Sequence, residues 1–516
     1  MEQNGWFKIG GAHQPPAKNK EGIPIVYPQK KQPEINNAPE PSPPSAPSLP
    51  KYEEKAPQKK PVVTKPEGSM PEPYGDELKS RHSQTVGERG PVLEQDGILH
   101  EVLETFVHAK AIERAVHVKG FGAFGYFQPY RSMKEYTKLG FLQDPEKKTQ
   151  VACRFSLGVS NRGTPDTSRN IRGFSTKFYT EQGIFDLLCN HLPVFLLRDA
   201  MRVPEAFKSL QPSPVNNLSD SDRFWAFVAR TPEATHFITW LYSDIGTVKS
   251  LRHIRAYGVN TYVWRNESGE RHYVKYHWTP MAGEEFIDRE EAARLACTDP
   301  DIAGRDLYDT IAEGIGVEYE LRVQLMDPEA LNQLSFDPLD DTKIWDEKAY
   351  PLLPVGRLVL DRNPEDYDAQ TERIAFSPAN LLDGAELSED QMLQGRSFVY
   401  WDAQRRRLGP DFRTLPINSQ KDWSPDELVT SGNKLYTAGN LTRTPISNQD
   451  NFTQAGDRYH SLSDTQKDHL ADNIASELYA VPENTRQTVM SYFTQASEEF
   501  ALHIERQMEK YSNQTN

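Results

Sequence analysis

Arg396 and Tyr400 stand four residues apart in the run Arg396-Ser397-Phe398-Val399-Tyr400. On a helix, residues i and i+4 share a face, so the guanidinium can lie against the phenol. A free tyrosine has a pKa of about 10 and is a poor metal ligand while neutral. A fixed positive charge a few ångströms away favours the phenolate. Phenolate is a hard anionic ligand suited to ferric iron, and tyrosine-ligated haem is one instance of that pairing. Alone, the spacing also fits a surface pair on an amphipathic helix.

A second pattern invites a chemistry and fails its context. Gly120-Phe121-Gly122-Ala123-Phe124-Gly125 matches G-x-G-x-x-G. A dinucleotide fingerprint needs a strand before it, a helix after it and an acidic residue ~20 positions on. Here Tyr126-Phe127-Gln128-Pro129-Tyr130 follows. That is strand or turn, and Pro129 excludes a helix interior.

The helix that must carry the arginine–tyrosine pair begins near residue 388. Ser388 and Gln391 read as a capping-box pair, and Glu389 and Asp390 suit a helix N-terminus. Gly409-Pro410 stops it after Leu408. Upstream, β-branched and aromatic runs predict strands at Val151–Phe155, Gly173–Tyr179, Phe185–Leu197, Tyr319–Met326 and Val355–Leu360. Asn260–Trp264 and His272–Trp278 flank Asn266-Glu267-Ser268-Gly269 as a hairpin. A helical pattern runs from Val92 to Val107. Many strands with polar turns and few regular helices between them predict an antiparallel β-barrel in an α+β chain. After Ser463 the pattern turns helical, with Leu470, Ile474 and Leu478 on one face. Pro482 opens a second helix and Ser497 caps a third.

Composition bounds the rest. The chain has 516 residues and three cysteines, Cys153, Cys189 and Cys297, in no C-x-x-C pattern. That excludes a disulfide scaffold or cysteine-rich zinc site and points to a reducing, cytoplasmic compartment. Net charge is −15, which argues against a nucleic-acid binder. The longest apolar runs are far below the ~20 residues of a membrane span, and no apolar signal-peptide core opens the chain. Residues 1–80 hold 16 of the 38 prolines, with 11 lysines against 10 acidic residues. Low apolar content there cannot offset ordering entropy, so this stretch reads as a flexible or extended arm.

Longer blocks resemble a known family. Glu113-Arg114-Ala115-Val116-His117-Val118-Lys119-Gly120, running into Phe124-Gly125-Tyr126-Phe127, is similar to the distal histidine segment of the monofunctional haem catalases. Arg154-Phe155-Ser156, Arg172-Gly173-Phe174 with Lys177-Phe178-Tyr179, and Asp186-Leu187-Leu188-Cys189-Asn190 resemble the family's next blocks. So do Phe336-Asp337-Pro338, Thr342-Lys343-Ile344-Trp345 and Pro354-Val355-Gly356 to Asn363-Pro364. Met392-Leu393-Gln394-Gly395-Arg396 to Tyr400, then Arg407-Leu408-Gly409-Pro410, resembles its proximal signature. Asp450 to Gly456 resembles the start of its C-terminal helical region. The blocks keep their order from about residue 90 onward.

The resemblance implies roles. His117 is the distal base, moving a proton from one peroxide oxygen to the other, a task imidazole suits near neutral pH. Ser156 orients the histidine, and Asn190 donates to bound peroxide. Tyr400 is the iron ligand and Arg396 its partner. Arg114 and Arg154 pair with haem propionates. Val116, Phe195, Phe376 and Met392 also line the cofactor site, and Val116, Asn170 and Val203 line the approach channel. The implied reaction disproportionates hydrogen peroxide through an oxoferryl intermediate on haem b, in a homotetramer whose N-terminal arms contact other subunits. The expected domains are the Pro-rich arm (1–85), a β-barrel haem domain (86–387), the proximal helix with a wrapping segment (388–445) and an α-helical region (446–516).

The chain departs from the family pattern at identifiable places. Asn170 replaces an aspartate in the channel, so the field orienting dipolar peroxide is expected to be weaker. His191-Leu192 stands where an Asn-Thr pair is usual. Asn260 stands where a histidine commonly bonds the proximal arginine, and Val203 where an aromatic residue is common. Thr279, two after His277, replaces a basic residue of the nucleotide site some members carry, so bound NADPH is not expected. The altered channel also accommodates two other readings: a protein of this fold acting on organic or lipid hydroperoxides, or a haem-binding protein with low turnover. Cys153 and Cys189 adjoin site residues and read as buried, inert thiols.

Overall fold

Alternation along the strands decides which side chains fill the centre of this molecule. A computed structural model describes residues 83–419, except 89–90, 93, 109–110 and 335, together with 443 and 450–514. Most of the N-terminal arm and of the wrapping segment therefore lie outside the described residues. Among the described residues there are ten antiparallel strands: β1 Gly120–Pro129, β2 Thr149–Leu157, β3 Arg172–Thr180, β4 Gly183–Asn190, β5 Ala256–Tyr257, β6 Tyr262–Arg265, β7 Arg271–Pro280, β8 Val317–Met326, β9 Leu353–Arg362 and β10 Ala385–Leu387. Eight close a ring in the order β1-β2-β3-β4-β5-β7-β8-β9, with β9 returning to β1. β6 and β10 extend from β7 beside the ring. Closure leaves no open edge in the ring.

Strand period two sends alternate residues to opposite faces. Val151, Cys153 and Phe155 of β2, Phe174 and Phe178 of β3, and Leu187 and Cys189 of β4 share one buried cluster with Phe127, Trp278 and Tyr319. Phe155 stacks on Phe174 at 4.4 Å between centroids, and Phe174 on Trp278 at 5.7 Å. Aromatic rings thus fill the barrel, which is a core and not a pore. The two thiols sit in it, and burial pushes Cys153 up to about 12 and Cys189 higher still. The apolar run after Phe185 is not all strand. β4 ends at Asn190, and Leu192, Val194, Leu196 and Leu197 turn into a second cluster.

Helices flank the barrel more than the sequence pattern suggests. Between α1 (Gly97–His108) and α7 (Gln391–Leu408) lie α2 Val203–Leu210, α3 Ser221–Val228, α4 Thr235–Leu241, α5 Arg289–Thr298 and α6 Ile302–Ala312. α2 to α4 are of eight residues or fewer, too short for a clear 3.6-residue period. α1 starts at Gly97 and not at Val92, because the Asp96 carboxylate accepts from Leu99 N at 3.1 Å. Val92 pairs instead with Thr85 in an isolated bridge.

The proximal helix is capped differently from expectation. Asp390 is its N-cap and accepts from Leu393 N at 2.9 Å. Ser388 faces away, donating to the Thr261 carbonyl. Gly409 closes the other end at φ 89°, a left-handed value that glycine adopts without strain. α8 Thr453–His460, α9 Asp464–Leu478, α10 Glu483–Ala496 and α11 Glu498–Gln514 follow. A Ser463/Gln466 capping box starts α9. These helices bury Leu470, Ile474, Leu478, Phe493 and Phe500 with Trp225 and Phe237 in the second cluster. Among the described residues no helix is long and apolar enough to cross a membrane.

Candidate active site

The outer face of β1 to β4 is a grid, because directly opposed residues on antiparallel strands point to one side. One rung runs Gly120, Ser156, Gly173, Asn190. The next runs Gly122, Arg154, Ser175, Leu188, and the third Phe124, Ala152, Lys177, Asp186. Glycine is required where other groups come in close. A Cβ at Gly173 would sit 2.8 Å from Ser156 Oγ and 2.9 Å from His117 Nδ1 and Cε1. A Cβ at Gly120 would meet Arg154 Cζ at 2.4 Å, and one at Gly122 would meet Thr371 Oγ1 at 2.2 Å. These glycines of the G-x-G-x-x-G run therefore clear space for an arginine and a packed loop, not for a pyrophosphate.

His117 reaches the grid from an irregular segment. Its φ is 59°, rare for a residue with a Cβ, and its N–H is tied to Gly158 O at 2.6 Å. Nδ1 lies 3.0 Å from Ser156 Oγ. Burial first, then the charges of Arg154, Arg396 and Arg114, lower its pKa to about 3, so the ring is neutral. Val116, beside it, is half-buried. Asn190 shares the rung with Ser156 across Gly173. Sequence distance says nothing of this meeting; register supplies it.

Arg114, Arg154 and Arg407 converge at one side. Arg154 donates to the carbonyls of His117 and Val118, each at 3.0 Å. Arg114 donates to Glu372 Oε1 at 2.7 Å and to the carbonyls of Glu372 and Ile374. Arg407 bonds the same two carbonyls at 2.6 and 3.0 Å. Burial, opposed only in part by Glu372, lowers the pKa of all three, and that of Arg407 to about 10. Three buried cations thus face one carboxylate, and Arg154 Nε is buried without a partner. Arg407 carries no assigned role in the sequence reading. It lies seven residues after Tyr400, two helical turns on, so helical periodicity alone could have found it. Glu372 belongs to a single π-helical turn, Asp368–Glu372, that no local pattern marks.

Tyr400 lies on α7 against the apolar cluster of Ala152, Leu188, Ile374 and Phe376, with Phe124 beside it. Arg396 Nη2 donates to its phenol oxygen at 3.2 Å. Phe376 is held by a buried ion pair: Lys177 Nζ lies 2.7 Å from Asp186 Oδ1 and 5.1 Å from the Phe376 ring centre. Asp186 Oδ2 accepts from Ser377 N and Asn380 Nδ2. Phe195, Val203 and Met392 lie in or against the second cluster.

Three of the departures, Asn170, His191 and Asn260, are satisfied groups. Asn170 Nδ2 donates to Val159 O at 2.6 Å while Oδ1 accepts from Val159 N at 3.2 Å. His191 accepts from Arg172 N at 2.9 Å and Nε2 faces Ile245 O at 3.0 Å. Burial lowers its pKa well below the usual range, which fits a neutral, structural ring. Asn260 Oδ1 accepts from Arg396 Nη1, as a histidine nitrogen would.

A phenol backed by an arginine, a distal histidine on a serine, and an arginine trio short of anions now stand on one wall. Comparison with known proteins gives this wall a family. The family model described as Catalase matches residues 73–453, and the one described as Catalase-related immune-responsive matches 445–508. This chain belongs to the catalase family. It is 39% identical to a Listeria seeligeri catalase over 462 residues, covering 84% of this chain and 94% of that one. It is 38% identical to catalase isozyme 1 of Solanum lycopersicum over 444 residues, covering 80% and 90%. A solved bacterial catalase superposes with TM-score 0.79 at 33% identity, covering 84% of this chain and 93% of that chain. Membership in the catalase family implies a haem. The residues present fit one: a ligating oxygen, apolar walls, and three arginines against the single carboxylate of Glu372, a surplus that two propionates would balance.

Proposed function

We propose that this chain is a haem b catalase, a cytoplasmic homotetramer that converts two hydrogen peroxide molecules into two water molecules and dioxygen. The observation that carries the reading is His117 seated on the Ser156–Gly173–Asn190 rung, on the same outer wall that holds Tyr400. Tyr400 would hold the iron through its phenol oxygen, with Arg396 balancing charge there. Arg114, Arg154 and Arg407 would hold the propionates. Phe124, Leu188 and Phe376 would pack on the macrocycle. When bound, the haem supplies the redox-active ferric centre at which peroxide is cleaved and a second peroxide oxidised.

The chain's own residues manage protons and orientation. Ser156 fixes the histidine through Nδ1, which leaves Nε2 to meet peroxide. Nε2 accepts a proton from one peroxide oxygen and returns it to the other, and a ring kept neutral by burial is ready to accept. Asn190 donates its amide N–H to the peroxide and holds it on that path. Val116 and Asn170 line the approach. The arm of residues 1–85 contacts other subunits. No nicotinamide nucleotide is needed, since Thr279 offers no charge for a phosphate. Nothing in the wall's geometry favours lipid hydroperoxides over hydrogen peroxide.

An oxygen-electrode trace with a visible spectrum of the purified protein tests this. Oxygen release from peroxide and a high-spin ferric tyrosinate spectrum are expected. Tyr400→Phe should lose the haem or that spectrum. Full haem occupancy with an unchanged spectrum in that variant would refute the ligand.

A further inference from the structure

The buried ion pair behind Phe376 has no task in the roles above. Lys177 and Asp186 stand directly opposite each other on β3 and β4, each 1% exposed, on the outer wall that also carries Ala152 and Leu188. Lys177 Nζ donates to Asp186 Oδ1 at 2.7 Å and to Oδ2 at 3.0 Å. Burying two charges costs solvation that their attraction barely repays, so apolar residues of like volume would often stabilise a fold as well or better. Stability alone therefore gives no reason for charge at these two positions.

The geometry the pair imposes falls on one residue. Phe376 belongs to an irregular stretch that follows the π-helical turn Asp368–Glu372 and packs in the cluster beside Tyr400. Buried irregular backbone needs a partner for each polar group. Three neighbouring groups around Phe376 find theirs in side chains from three separate places. Ala375 N donates to Asn418 Oδ1 at 2.7 Å, the Phe376 carbonyl accepts from Gln404 Nε2 of α7 at 3.3 Å, and Ser377 N donates to Asp186 Oδ2 at 3.0 Å. Asp186 holds the following turn as well: Oδ2 accepts from Asn380 Nδ2 at 2.7 Å, and its own N–H donates to Asn380 O at 3.0 Å. The Lys177 ammonium lies 5.1 Å from the centre of the Phe376 ring, within cation–π range. One partner thus pins the backbone and the other faces the ring.

We infer that Lys177 and Asp186 are positioning residues that act through Phe376: the carboxylate fixes the backbone from which the side chain springs, and the ammonium fixes where its ring lies against the bound macrocycle. This rests on the reading of Phe376 as a wall of the haem site. A carboxylate has about four acceptor sites, enough for Lys177, Ser377 and Asn380 together, and the lysine that neutralises it is the group the ring faces. An apolar pair in the same volume would hold the strands together and leave both the turn and the ring free to shift. Haem retention, more than folding, therefore depends on charge at these two positions.

Haem transfer from the holoenzyme to excess apomyoglobin, followed at the Soret band, tests this with Lys177→Met/Asp186→Asn. That variant leaves no lone charge, and its new amide oxygen can still accept from Ser377 and Asn380. It should keep wild-type far-ultraviolet dichroism and lose haem roughly two- to thirtyfold faster, the worth of a desolvated cation–π contact. It should also change the Soret dichroism that a neighbouring ring induces in the macrocycle. Phe376→Leu should do the same, and in that background the pair replacement should add nothing. A wild-type loss rate and Soret dichroism in the pair variant, or additive effects in the cycle, would overturn the inference. Should the pair variant not fold, Asn380→Ala, which cuts one bond to Asp186 at a partly exposed turn, runs the same cycle with the same outcomes. Phe376→Leu with wild-type haem loss would instead remove the reading of Phe376 as a haem wall, and the inference with it.

Discussion

A single histidine shows how residue identity, strain and burial combine in this site. His117 adopts φ 59° and is buried neutral over Ser156. Neither feature helps folding: left-handed backbone at a non-glycine residue costs of order 1 kcal/mol or more, and the buried ring cannot be charged. Both serve to aim a proton-accepting nitrogen. His117→Ala should therefore retain haem, because the proximal side is untouched, while peroxide turnover falls by roughly a hundred to ten thousand fold. Stopped-flow oxygen release with a haem count measures both, and near-normal turnover would place the base elsewhere. Asn170 carries a second residue-scale prediction. Its amide bonds both backbone groups of Val159. Asn170→Asp keeps the Val159 N–H bond but turns a donor into an acceptor against the Val159 carbonyl, a loss of about 1–3 kcal/mol. A restored orienting field alone would give a faster enzyme. The structure adds that any gain comes with lower thermal stability. Melting temperature and rate at subsaturating peroxide, measured on one preparation, separate the two effects: an undiminished melting temperature would show that the Val159 contacts do not hold Asn170.

At the scale of elements, the site depends on strand register more than on any one motif. Ser156, Gly173 and Asn190 align only because β2, β3 and β4 pair without a slip, and a one-residue shift would send all three into the barrel. Gly173→Ala probes this. The new methyl would press on Ser156 Oγ and His117, so kcat should drop at least tenfold while far-ultraviolet dichroism and haem content stay close to wild type. Unchanged kcat would mean that His117 does not rest on β3. The strands of this barrel were legible in the sequence because alternation and aromatic runs mark them, and the hairpin at Asn266–Gly269 announced itself by its turn residues. The pairing order was not, since residues such as Phe124 and Arg362 meet through closure across hundreds of positions. Local signals also misplaced the N-cap of α7: Ser388 fits the capping pattern, but its hydroxyl is drawn to the Thr261 carbonyl, and Asp390 takes the cap. Within the site, Arg396 and Tyr400 were readable from helical spacing. Glu372 and the Lys177–Asp186 clamp on Phe376 were not, because buried charge pairs leave no periodic trace in the chain.

Across the whole molecule, buried histidines accumulate into a property that no single one sets. His117 and His277 are lowered to about 3 and His236 to about 4, each chiefly by burial, and His191 is also held well below its usual range. They occupy separate places: the site wall, β7, α4 and the turn after β4. Each has structural partners that suit a neutral ring, such as Gln324 for His277 and the Thr342 carbonyl for His236. The sign follows from linkage. A group with a depressed folded pKa binds fewer protons folded than unfolded below its unfolded value of about 6.5. Its contribution is complete above that value and is lost as pH falls toward the folded pKa. Four such groups should each weaken the fold by roughly 1 kcal/mol per pH unit through this window. The buried carboxyls Asp166, Asp186 and Asp341 are raised by burial, so they oppose that loss and do not deepen it. The protein should therefore lose stability steeply between pH 6.5 and 4, well before its ion-paired surface carboxylates such as Asp299 and Glu291 protonate. Urea unfolding of the holoenzyme at pH 7, 6 and 5 measures this, with His236→Gln as the control. That variant keeps a neutral side chain near Thr342 and should flatten the pH slope by about one proton's share. An identical pH slope in wild type and His236→Gln would mean that this imidazole is charged or exposed in the folded protein.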